Sequence, residues 1–276
     1  MVNIEYITFK LPNFKKIMKI LCVGEIVASP GRKAVQAALP EIIKEHSVDF
    51  VFSNCENLVS GRGFTEEKIQ DMQKAGVDFF TGGDHIFWQK ESEDVIDSLP
   101  IIRPANYPEG TPGVGHKIVD LGGKGEVLII NLMGRTSFST LHAYLEDPFS
   151  TADKILDLYK EKDLAAIIID FHAEATSEKY ALAHYLDGRV DIFVGSHTHV
   201  PTCDNMVLPK GSLYVTDVGM SGSIDSVLGV QTDIIINMFK TARNQRFDWE
   251  EHGRKAFRSV LFDTDKKETI RIDKLI

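Results

Sequence analysis

The sequence predicts an α/β fold built on sheet that is covered by helices on both faces. Short apolar runs rich in β-branched residues recur along the chain, and segments with helical periodicity lie between them. Each apolar run also ends abruptly in a polar residue beside Gly or Ser. The expected strands are Ile20 to Gly24, Asp49 to Cys55, Val77 to Gly83, Val127 to Gly134, Ala165 to Phe171, Asp191 to Ser196 and Ser212 to Val218. The expected helices run from Arg32 to His46, Thr65 to Ala75, Ser92 to Leu99, Thr151 to Lys162 and Ser177 to Asp187. In the first of these, Val35, Ala38, Leu39, Ile42 and Ile43 share one face. The second opens on Thr-Glu-Glu and closes on Gly76, an N-cap followed by a C-terminal stop. Alternation from Phe257 to Leu275 around an Asp-Lys-Lys-Glu turn predicts a closing hairpin.

No linker, repeat or low-complexity stretch divides the chain, so residues 18–276 read as one domain. Residues 1–17 read as a short extension, or as an early start ahead of Met18, with neither the apolar segment nor the cleavage site of a signal peptide. No run approaches the roughly 18 uncharged apolar residues needed to span a bilayer. The net charge of −9 and the lack of a Lys/Arg block argue against strong binding to duplex nucleic acid. Cys22, Cys55 and Cys203 are widely spaced and odd in number, which predicts a reduced, cytoplasmic protein without a disulfide framework.

Open α/β sheets place ligands beyond the carboxyl ends of their strands. Here those ends carry Glu25, Glu56-Asn57, Asp84-His85, His172 and the Gly-Ser-His-Thr-His turn with His197 and His199. Two histidines in an H-x-H turn can serve two adjacent metals, one imidazole each. A carboxylate such as Glu56 can bridge two cations roughly 3.5–4 Å apart, a spacing that clamps both oxygens of an in-line displacement and lowers the pKa of bound water. His85, directly after Asp84, can face the cleft as general acid, and Asn57 can donate its amide to a phosphoryl oxygen. The bland readings are a loop acid at Asp84 and a histidine packed beside Phe87 and Trp88 at His85.

His46, His116, His142, His184 and His252 lack the strand-end context and read as surface or supporting residues. Asp170 is set aside as pointing away from His172 across its strand. Gly24 to Lys33 lacks the spacing and the Lys-Ser/Thr end of a P-loop, and reads instead as a turn into the helix at Arg32. No G-x-S-x-G elbow is present. The set of His, carboxylate and no thiolate suits iron, manganese or zinc alike.

The stretches GEIVASPGR, NCEN, GGDH, RPANYPEGTPG, DFHAEATSEK, GSHTHVPT and LPKGSLYVTDVGMSG are long, ordered and specific. From about Met18 onward the chain resembles the bacterial YmdB-like metallophosphoesterases of the calcineurin type, which hydrolyse 2′,3′-cyclic nucleotides and related phosphodiesters. The resemblance implies a four-layer α/β/β/α sandwich, a dinuclear iron or manganese site and a homo-oligomer. Carried over by motif, Glu25 and His199 would hold the first metal, and Asp84, His172 and His197 the second, with Glu56 bridging. Asn57 would touch the phosphate and His85 would act near the leaving group.

The chain departs from the family pattern at three positions. Glu25 stands where the family has Asp, Asp84 where it has Asn, and Cys55 where it has Gly. The longer Glu25 arm must displace metal or backbone, and the added charge of Asp84 tightens cation binding while weakening Lewis acidity. The expected activity is therefore phosphodiester hydrolysis by metal-activated hydroxide with His85 as general acid. Two alternatives stay open, a metal-binding homologue acting as scaffold or regulator, and a phosphomonoesterase or protein phosphatase on the same site. Phe87, Trp88 and Tyr107 are candidates for stacking on a nucleobase.

Overall fold

The structure is a computed structural model that describes residues 18–138 and 144–276. The expected extension at 1–17 and the histidine His142 lie outside the described residues. Along the chain the elements are β1 (Lys19–Val23), β2 (Glu25–Ile26), α1 (Ala28–His46), β3 (Phe50–Asn54), α2 (Glu66–Ala75), β4 (Phe79–Thr81) and α3 (Ser92–Val95). They continue with β5 (His116–Asp120), β6 (Glu126–Met133), α4 (Pro148–Leu158), β7 (Ala166–His172), α5 (Thr176–Leu186), β8 (Ile192–Ser196), β9 (Met206–Val207) and β10 (Leu213–Val215). The last are β11 (Met220–Ser223), α6 (Thr232–Thr241), β12 (Lys255–Phe257), β13 (Ser259–Asp263), β14 (Glu268–Arg271) and β15 (Lys274–Leu275).

One sheet has the strand order β14-β13-β1-β3-β4, and a second has the order β5-β6-β7-β8-β10-β9. A third, smaller sheet, β15-β12-β11-β2, ties the start of the chain to its end. Side-chain alternation along each strand sorts the core into layers. Leu21, Val23 and Val51 on one face of the first sheet pack with Ala34, Leu39 and Ile69 of α1 and α2. Ile20, Phe50 and Phe52 on its other face pack with Val127, Ile168 and Val194 of the second sheet. Leu128, Ile130 and Phe171 on the far side of the second sheet pack with Ile155 and Leu182 of α4 and α5. The result is the four-layer α/β/β/α sandwich, with both sheets buried on both faces, as continuous rather than alternating apolar runs require.

The expected strands all form, and the C-terminal hairpin appears as β13 paired antiparallel with β14. Thr65 caps α2 through Lys68 N at 3.4 Å, and Gly76 ends it in the left-handed conformation. Elsewhere the boundaries move. Helix α1 starts at Ala28, so the Ser-Pro-Gly-Arg segment is its first turn and not a separate turn before it. Proline is tolerated there because first-turn N–H groups have no intrahelical partner. Helix α4 starts at Pro148 with the Asp147 side chain as its cap, a signal the periodicity passes over. Helix α3 is only one turn and continues as a 3₁₀ turn, Ile96–Ser98. Helix α6 is not anticipated at all: its Ile-Ile-Ile run has strand character, and only Ile235 is buried.

Gly31 lies in the first turn of α1, where a Cβ would collide with the Ser221 carbonyl oxygen of β11. Helix propensity by itself favours Ala over Gly by about 1 kcal/mol in a helix interior. The close approach decides the other way. Gly31→Ala is expected to destabilise the fold by about 1–3 kcal/mol, read as a lowered midpoint in urea denaturation, whereas a raised midpoint would show that α1 can shift off β11.

Candidate metal centre

The carboxyl ends of β1, β3, β4, β7 and β8 converge, because the two sheets pack face to face. Gly24 passes so close to the Gly219 carbonyl that a side chain could not fit, and Glu25 enters the third sheet opposite Met220 of β11. Glu25 is thereby buried at the floor of the cleft with 2% exposure. Glu56 follows β3 at 1% exposure, its backbone N–H donating to Asn54 Oδ1 at 3.0 Å. Asp84 and His85 follow the Gly-Gly turn after β4, and His172 ends β7 fully buried.

These side chains form two linked groups. In one, His172 Nε2 lies 3.0 Å from Asp84 Oδ1, 3.2 Å from Glu56 Oε1 and 3.0 Å from His197 Nδ1. Glu56, Asp84, His172 and His197 thus bring four ligand-type atoms within 4.8 Å of one another, a cluster able to hold a metal ion. In the other, Glu25 Oε2 lies 2.7 Å from His199 Nε2 and accepts from Asn57 Nδ2 at 2.9 Å. The sequence-predicted residues Glu25, Glu56, Asn57, Asp84, His85, His172, His197 and His199 are therefore all gathered in one place. His116 lies elsewhere, paired with the Tyr159 hydroxyl at 3.2 Å.

The electrostatics follow from setting two buried carboxylates and a partly buried one among imidazoles. Burial alone would raise the Glu25 carboxyl, but His199, His172 and His197 hold it well below the ordinary carboxylate range. Burial opposes ionisation of Asp84 too, and hydrogen bonds with His172 and His197 overcome it. The reverse holds for His172, where burial is outweighed by Glu56, Asp84 and Glu25, so its affinity for a proton is raised. An imidazole that takes up a proton here is standing in for cationic charge, and a divalent ion supplies the same charge with more coordination. The shape fits as well. A Cβ on Gly83 would fill the space between Glu56 Oε2 and His172 Nε2, so only glycine leaves that cradle open.

His85 and Asn57 stand beside this cluster. His85 Nδ1 is 3.1 Å from Asn57 Oδ1, its Nε2 is 3.4 Å from Asp84 Oδ2, and its backbone N–H donates to Glu56 Oε2 at 2.9 Å. The Asn57 amide therefore links Glu25 to His85 rather than pointing free into the cleft. Phe87, Trp88 and Tyr107 wall a cavity of about 730 Å³ that Asp84 borders.

The sequence matches the family described as YmdB-like protein over residues 21–275. It is 43% identical over 94% of its length to a 2′,3′-cyclic-nucleotide 2′-phosphodiesterase of Bacillus subtilis, covering 97% of that protein. It is 35% identical to a putative phosphatase/phosphodiesterase of Mycoplasma genitalium, with 94% and 92% of the two chains covered. The chain belongs to the YmdB-like family. A crystal structure of a hypothetical protein from Thermus thermophilus superimposes with a TM-score of 0.84 at 37% identity, covering 94% of this chain and 99% of that one. A crystal structure of a phosphatase from Mycoplasma pneumoniae gives 0.81 at 29% identity, covering 94% and 92%.

In this member of the YmdB-like family, several residues that sequence reasoning passed over hold the gathered side chains in place. Asp170 is a correction. Residues two apart on a strand share a face, so Asp170 points to the His172 side and accepts from Ser196 Oγ at 2.8 Å, which in turn is 3.1 Å from His172 Nδ1. Burial pushes the Asp170 carboxyl up to about 6, even though Thr81 and Ser196 both donate to it. Glu174, two residues past His172, lies 3.1 Å from His197 Nε2 and orients that ring. Such partners fix which ring nitrogen faces a metal. The H-x-H turn itself is strained, with His197 at φ 99° and His199 at φ 63°.

Between the two histidines, Thr198 donates through both N–H (3.1 Å) and hydroxyl (2.8 Å) to Asp217 Oδ2. Lys179 of α5, fully buried, donates to the same oxygen at 2.8 Å. Lys179→Met is expected to leave Asp217 buried without its counter-charge, lowering stability by about 3–5 kcal/mol. Urea denaturation measures this, and an unchanged midpoint would show that the hydrogen bonds to Asp217 suffice.

Proposed function

We propose that the chain is a metal-dependent phosphodiesterase acting on 2′,3′-cyclic nucleotides. The observation that carries this reading is the convergence of three carboxylates and three imidazoles beside a cleft-facing histidine, in a chain 43% identical to a 2′,3′-cyclic-nucleotide 2′-phosphodiesterase. Glu25 and His199 would hold one metal, and Asp84, His172 and His197 a second, with Glu56 between them. Bound metal ions, iron or manganese above all, supply Lewis acidity toward the phosphoryl oxygens and lower the pKa of bound water.

The protein's own residues supply the rest. Asn57 Oδ1 fixes His85 through Nδ1 and leaves Nε2 beside Asp84 as the position from which a proton passes to the departing ester oxygen. The carboxylates of Glu25 and Asp84 keep oxygen donors in the positions the reading requires. Added negative charge at Asp84 favours retention of a cation and moderates its acidity. Residues 18–276 act as a single catalytic domain in this reading, and the family resemblance favours an assembly of like subunits. A second reading, a phosphomonoesterase on the same site, is favoured by the phosphatase/phosphodiesterase names of the Mycoplasma relatives.

Hydrolysis of bis-p-nitrophenyl phosphate and 2′,3′-cyclic AMP, measured with manganese or iron supplied and metal content assayed, tests the proposal. Turnover that chelation removes and metal restores is expected. His85→Ala is expected to lower kcat by roughly 10²–10⁴-fold, the usual weight of general acid catalysis. Binding of two metals per chain without turnover of either diester would overturn it and leave a binding role. Faster turnover of p-nitrophenyl phosphate than of the diesters would favour the monoesterase.

A further inference from the structure

Arg62 lies in the loop between β3 and α2, exposed, and the reaction proposed above gives it no part. Its guanidinium is nevertheless held in place. The Cζ atom sits 4.4 Å from the centroid of the Trp88 ring and 5.9 Å from that of Phe247. Its backbone is anchored too, with N–H donating to Val59 at 2.8 Å and the carbonyl accepting from Gln89 Nε2 at 2.7 Å. Among the described residues no carboxylate pairs with this guanidinium, whereas Arg135, Arg189, Arg254 and Arg258 each meet an aspartate. In a chain of net charge −9, acids are available in excess. Stacking on aromatic faces fixes the plane of a guanidinium and leaves its in-plane N–H fork free for a carboxylate or phosphate.

The position gives that fork a purpose. Arg62 lines a cavity of about 520 Å³ whose wall also includes Asn57, His85, His197 and His199. Cavities of roughly 300–1,000 Å³ suit small organic ligands. Its remaining wall is largely apolar and includes Val227, Ile235 and Met238. A molecule with one phosphoryl group at the metal centre and an organic body along this wall would extend toward a single fixed cation.

We infer that Arg62 receives a second phosphate on the substrate, so that the site prefers nucleoside phosphodiesters that carry a further phosphate over those that do not. This specificity rests on the phosphodiesterase reading. A charge-assisted hydrogen bond contributes enough to favour the bisphosphorylated substrate by about tenfold to hundredfold.

The test compares kcat/KM of the manganese-loaded full-length protein for adenosine 2′,3′-cyclic phosphate and for the same compound phosphorylated at the 5′ oxygen. The wild type is expected to prefer the second compound, chiefly through a lower KM. Arg62→Met is expected to bring the ratio close to one, and Arg62→Lys, which keeps the charge without the fork, to retain part of it. Equal efficiencies in the wild type, a ratio unaffected by Arg62→Met, or an equal loss on both substrates would overturn the inference. If neither compound is turned over, the phosphodiesterase reading fails, and calorimetry on the same metal-loaded protein still decides the role of Arg62. Tighter binding of adenosine 3′,5′-bisphosphate than of adenosine 3′-monophosphate, abolished in Arg62→Met, would support it, and equal binding would overturn it.

Discussion

Three carboxylates brought to one cleft, Glu25 and Glu56 buried and Asp84 partly so, are the constraint on which the rest of the site depends. Their charges repel, and the burial of Glu25 and Glu56 removes the water that would screen them. Such a group persists only where positive charge is brought to it. The protein supplies imidazoles at the ends of β7 and β8, and the short His172–His197 separation of 3.0 Å shows how closely those rings are packed around the carboxylates. The sandwich accomplishes this by burying both faces of both sheets, which leaves strand ends as the places where polar groups can gather.

Holding imidazoles there requires a second layer of contacts. His172 is backed by Ser196 and Asp170, His197 by Glu174, and the turn between His197 and His199 by Asp217 and Lys179. Each of these partners fixes a ring or a backbone conformation that the histidine would not adopt alone. The positive φ of both turn histidines is the clearest sign that surrounding structure, not local preference, sets their direction. Asn57 does related work on the other side of the cleft, linking Glu25 to His85.

The strands and the residues at their ends were legible because burial on both faces writes an uninterrupted apolar run, and the polar residue that stops it stands out. The supporting residues were not. Nothing local to Lys179 or Glu174 distinguishes them from solvated helix and loop charges, since their partners lie on other elements. Asp170 was legible in principle, because its spacing from His172 puts both on one face. Helix α6 was hidden for a different reason: three consecutive isoleucines favour a strand, yet they lie on a helix that buries only Ile235. The early start of α1 was masked by Pro30 and Gly31, which ordinarily mark a turn but here lie in the first helical turn, where proline loses no intrahelical bond and glycine admits a close backbone neighbour.

The third sheet has a consequence for the order in which the protein matures. Glu25 is the first residue of the centre to be synthesised, yet its strand partner is Met220, and β1 before it lies between β3 and β13. A nascent chain that has already exposed Glu56, Asp84 and His172 still lacks the strands that seat Glu25. Contacts of such high sequence separation form late and slowly. The carboxylate and imidazole side chains of the centre therefore reach their full arrangement only once β11 and β13 have been made and paired, so the N-terminal residue of the cluster is the last to be seated.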